Sequence, residues 1–329
     1  MADRLILHIG DAKTGSTSIQ RTLQNETYIV GEYIASPGPA NDVGLAFSLF
    51  RRGHRKYATK RWNDRSALLR ESDADVGIIS SEHFQFVNPK VLRDRLTESM
   101  PEHVDTVQII AYARPHVDRL VSTYSQRVRT SNFIGSISEF YQVFQNGSTF
   151  PYSARFLSWR EVFGDQFVLR PMVRSHLHEA CVVHDFFHVA LGHTDFEITL
   201  APDQNASPSL EDLSIIAQLT ETRGEADRAV AVHLDQLLAA DPSASATKQG
   251  IDSDLVAEMI ADQKEDAALL DEIFFDDTPM TDALMKAPEK AIEAPQSIKA
   301  VEHFDESEMR LMRVFTQLVA DIRSQVVKG

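Results

Sequence analysis

Cysteine is almost absent from this chain of 329 residues: Cys181 stands alone, which excludes an internal disulfide and leaves no second thiolate for a metal site. No run of about 18 apolar residues occurs, so no segment is expected to span a membrane. The first apolar stretch, Leu5 to Ile9, is too short for the apolar region of a signal peptide and has no cleavage-like segment after it, so the expected location is cytoplasmic. On that expectation the sequons at Asn25, Asn146 and Asn205 carry no glycan. An excess of basic residues is also missing. The formal charge is −15, which argues against general nucleic-acid binding, since that needs a basic footprint.

The negative charge is unevenly spread. Residues 1–200 hold 22 acidic and 22 basic side chains, and the rest hold 26 and 11, so the first part is neutral and has room for a local cationic site. The plainer reading of the acidic remainder is a solvated helical face, the sharper one a partner-binding or substrate-repelling surface. Hydrophobic content of 43% and charged content of 25% are those of an ordinary globular protein. The length suits one good-sized core with an appendage.

Short apolar runs followed by helical spacing repeat along the first 200 residues. Strands are expected at Leu5 to Ile9, Val76 to Ser80, Val107 to Ala113 and Phe167 to Leu169. Helices are expected at Ser18 to Asn25, Val91 to Glu98, Val117 to Arg129 and Tyr152 to Phe163. Repeated βα units predict an α/β fold with a central parallel sheet covered by helices on both faces. Ala201 to Pro208 reads as a link. Helical spacing then returns at Leu210 to Thr220, Ala226 to Leu238, Leu255 to Phe274 and Glu306 to Val326, with Asp276 to Ala300 read as a proline-containing loop. The expected division is an α/β core over 1–200 and an acidic, mainly helical extension over 201–329.

Between the first strand and its helix lies Gly10-Asp11-Ala12-Lys13-Thr14-Gly15-Ser16-Thr17-Ser18. Its glycines fit G-x-x-x-x-G, the context of a phosphate-binding loop: small residues let the backbone wrap an oxyanion, and helix N-terminal amides and hydroxyls donate to it. A nucleotide-triphosphate loop would carry lysine directly after the second glycine, followed by a hydroxyl for magnesium. Ser16 fills that slot here, and the lysine is Lys13. The run Lys13 to Ser18 resembles the K-T-G-T/S-T-S loop that binds the 5′-phosphosulfate in sulfotransferases that use 3′-phosphoadenosine 5′-phosphosulfate (PAPS), bacterial and carbohydrate-type members above all. The resemblance implies a P-loop-like three-layer fold and makes Lys13, Thr14, Gly15, Ser16, Thr17 and Ser18 donor-binding residues.

After the third strand comes Arg114-Pro115, then a helix carrying Arg119, Ser122 and Tyr124. Guanidinium binds phosphate in bidentate fashion and a hydroxyl adds a bond. The segment resembles the sulfotransferase element R-x-P-x-x-R-x-x-S-x-Y with the first gap residue missing. That resemblance implies that Arg114 and Ser122 hold the 3′-phosphate of PAPS; Arg119 is read as structural. Phe156-Leu157-x-Trp159, Phe163-Gly164, Val168-x-Arg170-Pro171 and Asp185-Phe186-Phe187 are similar to the middle of bacterial members, so the likeness covers about residues 4 to 208.

Val76 to Phe84 reads as a strand with Glu82 near its C-terminal end, the edge where the glycine loop and Arg114 also emerge and where parallel sheets place ligands. Resemblance to carbohydrate sulfotransferases implies Glu82 as the base that takes the acceptor proton. His83 is the alternative, better matched in unperturbed pKa, and alternation along a continuing strand would let only one of the two face the cleft. Lys13 would neutralise the departing phosphate without a metal, leaving adenosine 3′,5′-bisphosphate. The acceptor would be a carbohydrate or other small molecule. Arg51, Arg52, Arg55, Lys56, Lys60, Arg61 and Arg65 offer a hypothetical recruitment surface for an anionic one. Two rival readings share these residues: a kinase or nucleotide hydrolase on the same sheet plan, and a non-catalytic sugar- or nucleotide-binding module. His184-Asp185-Phe186-Phe187-His188 is a distant echo of a zinc motif, set aside because it has an aspartate and no third ligand.

Overall fold

Val76 to Ser80 has every side chain buried, as a strand covered on both faces requires. The computed structural model describes residues 2–11, 13–145, 147, 150–199, 208–223, 228–242 and 246–326. In chain order its elements begin with β1 (Arg4–His8), α1 (Ser16–Gln24), β2 (Tyr28–Val30), β3 (Ile34–Ala35), α2 (Val43–Phe50) and α3 (Ala58–Glu71). They continue with β4 (Val76–Ser80), α4 (Pro89–Ser99), β5 (Gln108–Ala113), α5 (His116–Arg129), α6 (Ile137–Phe144) and α7 (Ser153–Phe163). Then follow β6 (Phe167–Pro171), α8 (Val182–Leu191), β7 (Phe196–Ile198), α9 (Leu210–Arg223), α10 (Arg228–Ala240), α11 (Ser253–Phe274), α12 (Pro279–Met285) and α13 (Glu306–Val326). The expected link at 201–208 lies outside the described residues apart from Pro208, as do Ala226 and residue 227 of the expected second late helix. Asn146 and Asn205 of the sequons are likewise outside. Among the described residues no helix is long and apolar enough to cross a membrane.

The chain divides into two compact units that do not follow sequence order. Met1–His116, Pro151–Asp203 and Gln263–Met285 make the first; Val117–Phe150, Gln204–Asp262 and Lys286–Gly329 make the second.

The first unit is an α/β structure around a five-stranded sheet in the order β3-β4-β1-β5-β6, with every neighbouring pair parallel. Alternation sorts the strand residues to two faces. Ile6, Ile78, Ile110 and Tyr112 cluster with Ile19 and Leu23 of α1 and with Phe186, Phe187 and Ala190 of α8. The opposite face takes α3: Gly77 of β4 lies against the Leu69 side chain, and a Cβ at position 77 would collide with it. On the same side α4 and α7 are tied by the Arg93 guanidinium, which donates to the Val162 carbonyl at 2.7 Å. A separate antiparallel ribbon pairs β2 with β7. The central strand β1 therefore has β4 on one side and β5 on the other, and their C-terminal ends, at His8, Ser80 and Ala113, open onto one edge.

The second unit is helical. Leu120, Tyr124 and Val128 of α5, Phe140 and Tyr141 of α6, Leu213 of α9 and Met259 of α11 form its core. Arg119 is buried there, donating to the Phe150 carbonyl at 2.8 Å and stacking near the Phe144 and Phe150 rings, the structural part expected of it. Where the sequence suggested only a loop over Asp276 to Ala300, α12 forms at its start, within the first unit. Pro279 is its first residue, a position where the missing N–H costs nothing.

Candidate functional site

Ile9 keeps one more bond to β5, its amide donating to the Ile110 carbonyl at 3.0 Å, before the chain leaves the sheet. The loop that follows folds on three left-handed residues, Gly10 (φ 57°), Lys13 (φ 68°) and Gly15 (φ 80°). Gly15 has a second reason to be glycine, because a Cβ would lie 2.6 Å from Cγ1 of Val182 on α8. Thr14 is fully buried and its hydroxyl closes the loop internally: it donates to the Asp11 carbonyl at 2.7 Å and accepts from the Asp11 amide at 3.3 Å. Thr14 is thereby left with its amide as the group it can offer a ligand.

Helix α1 starts without a side-chain cap. The Ser18 and Ile19 amides turn back to the Gly15 carbonyl, whereas among the described residues nothing accepts from the amides of Ser16 and Thr17. The Ser16 hydroxyl is buried without a hydrogen-bond partner among those residues. Thr17 is exposed and Ser18 half-buried. Uncapped amides, the positive end of the helix and an unspent buried hydroxyl together are the groups that an anion site requires.

Strand β4 stops at Ser80, which corrects the expectation of a strand running through Glu82 and His83. Ser81 is extended, its amide bonded to the His8 carbonyl at 3.0 Å, and its hydroxyl accepts from the His83 amide, opening a 3₁₀ turn over Glu82–Phe86. Strand alternation therefore does not set where Glu82 and His83 lie; the turn does. Glu82 is carried against the glycine loop: a Cβ built on Gly10 would lie 3.0 Å from the Glu82 Cα, 3.2 Å from its Cβ and 3.0 Å from the Ser16 hydroxyl. His83 is carried away to an aromatic group, 4.9 Å from Phe47 and 6.4 Å from Phe86 between ring centroids. Burial lowers the His83 pKa against the opposing pull of Glu82, with Arg51 lowering it further.

Arg114 follows β5 and reaches the same loop, donating from Nη1 to the Lys13 carbonyl at 2.8 Å. Its own carbonyl accepts the Tyr152 hydroxyl at 2.7 Å. Tyr152 is fixed in turn by Asp266 of α11, whose carboxylate takes the Tyr152 amide, the Ser153 amide and hydroxyl, and His116 Nε2, all at 2.6–2.9 Å. Burial would raise the Asp266 pKa, but the bonds from His116, Ser153 and Tyr152 outweigh it and hold the group at about 2. Ser122 is half-buried on α5 in the second unit.

Sequence reasoning missed Arg155 and Asp11. Arg155 Nη2 donates to the Asp11 carboxylate at 2.9 Å; Asp11 is wholly buried and the Arg155 side chain only 10% exposed. No motif marks this pair. Helical spacing could have pointed to it, since Arg155 shares a face with the buried Tyr152 and Trp159, and an arginine on a buried face requires an acid.

Other singled-out residues are occupied elsewhere. Asp185 is buried and receives the Tyr112 hydroxyl, two Arg170 nitrogens and the His178 amide. His184 pairs with Glu179, and His188 stacks on His178. In the cationic stretch, Arg65 bonds Asp42, Arg61 bonds the Gly44 carbonyl and Lys60 bonds Asp64, while Arg51, Arg52 and Arg55 are exposed.

No protein-family model matches this chain, and no curated protein matches it. Its structure is similar to the crystal structure of a sulfotransferase from Alicyclobacillus acidocaldarius, with a TM-score of 0.44 and 15% identity, over 83% of this chain and 96% of that one.

Proposed function

We propose that this chain is a sulfotransferase that moves a sulfuryl group from PAPS to a hydroxyl or amine of a small acceptor. The observation that carries the reading is the meeting of three segments remote in sequence around the end of β1: the uncapped glycine loop, Glu82 against Gly10, and Arg114 on the Lys13 carbonyl. The donor set fits a nucleotide phosphosulfate. Its hydroxyls and amides are neutral donors, Lys13 and Arg114 are cationic, and the nearby carboxylate of Asp11 is held by Arg155. The unpartnered Ser16 hydroxyl gains an acceptor when an oxyanion enters.

In this reading Ser16, Thr17 and Ser18 and the loop amides hold the 5′-phosphosulfate, and Arg114 receives the 3′-phosphate. Glu82 orients the acceptor and takes its proton as the acceptor oxygen or nitrogen attacks sulfur. The bond between sulfur and the bridging oxygen breaks, and Lys13 with the loop amides meets the charge that grows on the departing phosphate. The products are the sulfated acceptor and adenosine 3′,5′-bisphosphate.

Calorimetry with adenosine 3′,5′-bisphosphate against its analogue lacking the 3′-phosphate tests the reading. The expected result is a preference of tenfold or more for the bisphosphate that Arg114→Ala abolishes. Equal binding of the two, or none of either, refutes it.

A further inference from the structure

Beside the candidate base the first unit holds a cavity of about 410 Å³, within the roughly 300–1,000 Å³ of small-molecule sites. Gln85, Phe86 and Lys90 line one side of it, and Arg155, Trp159 and Glu161 the other. Gln85 is one 3₁₀ turn after Glu82, with its amide on the Glu82 carbonyl at 2.9 Å, so this wall belongs to the turn that carries the base. The opposite wall is tied to the glycine loop through Arg155 and Asp11. The cavity is thus attached on one side to the proton acceptor and on the other to the donor loop.

Arg155 gives the cavity its chemistry. Its guanidinium lies over Phe156 at 4.6 Å and near Tyr152 at 5.6 Å. Its edge is only partly used: Nη2 serves Asp11, while Nε and Nη1 are buried with no hydrogen-bond partner among the described residues. Two buried cationic donors without acceptors are a standing cost that a ligand oxygen would relieve. The charges do not favour an anion there. Asp11 already balances Arg155, and the lining holds one acid, Glu161, and one further base, Lys90, with Glu82 one turn away from Gln85.

Resting on the sulfotransferase reading, the geometry points to this cavity as the acceptor site, built for an uncharged polyhydroxylated molecule. Its hydroxyl oxygens accept from the Arg155 guanidinium, and the exposed Phe86 ring takes its apolar face. The exposed Arg51, Arg52 and Arg55 are not part of this lining.

The test is calorimetric titration of glucose, maltose and myo-inositol into the full chain saturated with adenosine 3′,5′-bisphosphate, so that the loop is already filled, with glucuronate as the charged counterpart of glucose. At least one neutral polyol is expected to bind saturably, with glucuronate tenfold or more weaker than glucose. Ser158→Phe, which fills the cavity from α7 and leaves the Asp11 pair in place, should abolish polyol binding while bisphosphate affinity stays within twofold. Arg155→Lys should weaken the polyol by about tenfold, and if that variant does not fold, Ser158→Phe decides alone. No saturable binding of any of the three, glucuronate binding as well as glucose, or a Ser158→Phe protein that binds polyol like the parent would each overturn the proposal. Polyol binding in a protein that ignores the bisphosphate would instead sink the sulfotransferase reading and leave the cavity a polyol site.

Discussion

Gly10 and Glu82 stand so close that a single methyl group on Gly10 would come within 3.0 Å of the Glu82 backbone. Gly192 provides a control, because it too has a positive φ, 82° in the left-handed region, but nothing lies within 4 Å of its Cβ position. Alanine at either site meets the left-handed penalty of about 1–2 kcal/mol. Only Gly10→Ala must also push away Glu82 and Ser16. In urea unfolding, Gly10→Ala should lose more stability than Gly192→Ala, and only the former should lose transferase activity. Equal losses in both properties would show that Gly10 is required for its backbone angle alone.

A matched pair isolates the packing of the loop on α8. Gly15 (φ 80°) and Gly192 (φ 82°) share a conformation, yet a Cβ on Gly15 would meet Val182 at 2.6 Å and one on Gly192 would meet nothing. Gly15→Ala should therefore weaken bisphosphate binding, and Val182→Ala in the same chain should restore part of it by making room. Gly192→Ala should leave binding unchanged. Failure of Val182→Ala to restore any affinity would remove the contact as the cause.

The turn at Ser81 makes the base assignment testable. Glu82→Gln keeps shape and removes the proton acceptor, so turnover should fall by about 10²–10⁴ while bisphosphate affinity holds within twofold. His83→Phe, which suits the ring's neighbours Phe47 and Phe86, should keep most of the activity. The reverse pattern would move the base to His83.

How far the sequence could be read follows from what each segment must do. The three inner strands β4, β1 and β5 were legible because a strand buried on both faces needs an unbroken apolar run, the edge strand β6 from the short apolar run Phe167 to Leu169, and the glycine loop because its backbone angles and its crowding require small residues. Strand β3, at Ile34–Ala35, is too short to show any period. The turn at Glu82 was hidden because Ser81 ends the strand through its hydroxyl, a local bond that competes with continued pairing. The Asp266 contacts were beyond reach for a different reason: an aspartate on a strongly acidic helix has no feature that separates it from its solvated neighbours. Only the tertiary fold brings it to Tyr152 and His116.

That carboxylate heads a short relay, from Asp266 to the Tyr152 amide and from the Tyr152 hydroxyl to the Arg114 carbonyl. Asp266→Ala would strand the buried His116, the Ser153 hydroxyl and two amides, a loss of about 3 kcal/mol or more. At a temperature where the variant is still folded, its affinity for the bisphosphate should also drop, because Tyr152 no longer fixes the strand end that carries Arg114. Unchanged affinity in the folded variant would restrict Asp266 to stability.

His8 and Asp266 should act in separate acid ranges. His8, the last residue of β1, is wholly buried, with Nδ1 2.8 Å from the Ser80 hydroxyl, and burial lowers its pKa from 6.5 to about 4. The unfolded chain then takes up a proton below pH 6.5 that the folded chain refuses until about pH 4. His8 thus costs nothing at neutral pH, and stability falls as the pH drops through this window, by about 2 kcal/mol at pH 5 and about 3 kcal/mol once the window is crossed. Asp266 has its folded pKa depressed from 3.8 to about 2, so its contribution is complete above pH 4 and disappears only below that. Urea midpoints from pH 8 to pH 3 should therefore fall in two stages. His8→Asn should flatten the stage between pH 6.5 and 4 whatever its constant cost, and leave the lower stage as it was. An unchanged slope between pH 6.5 and 4 in that variant would mean that His8 is not the group whose protonation loosens the sheet.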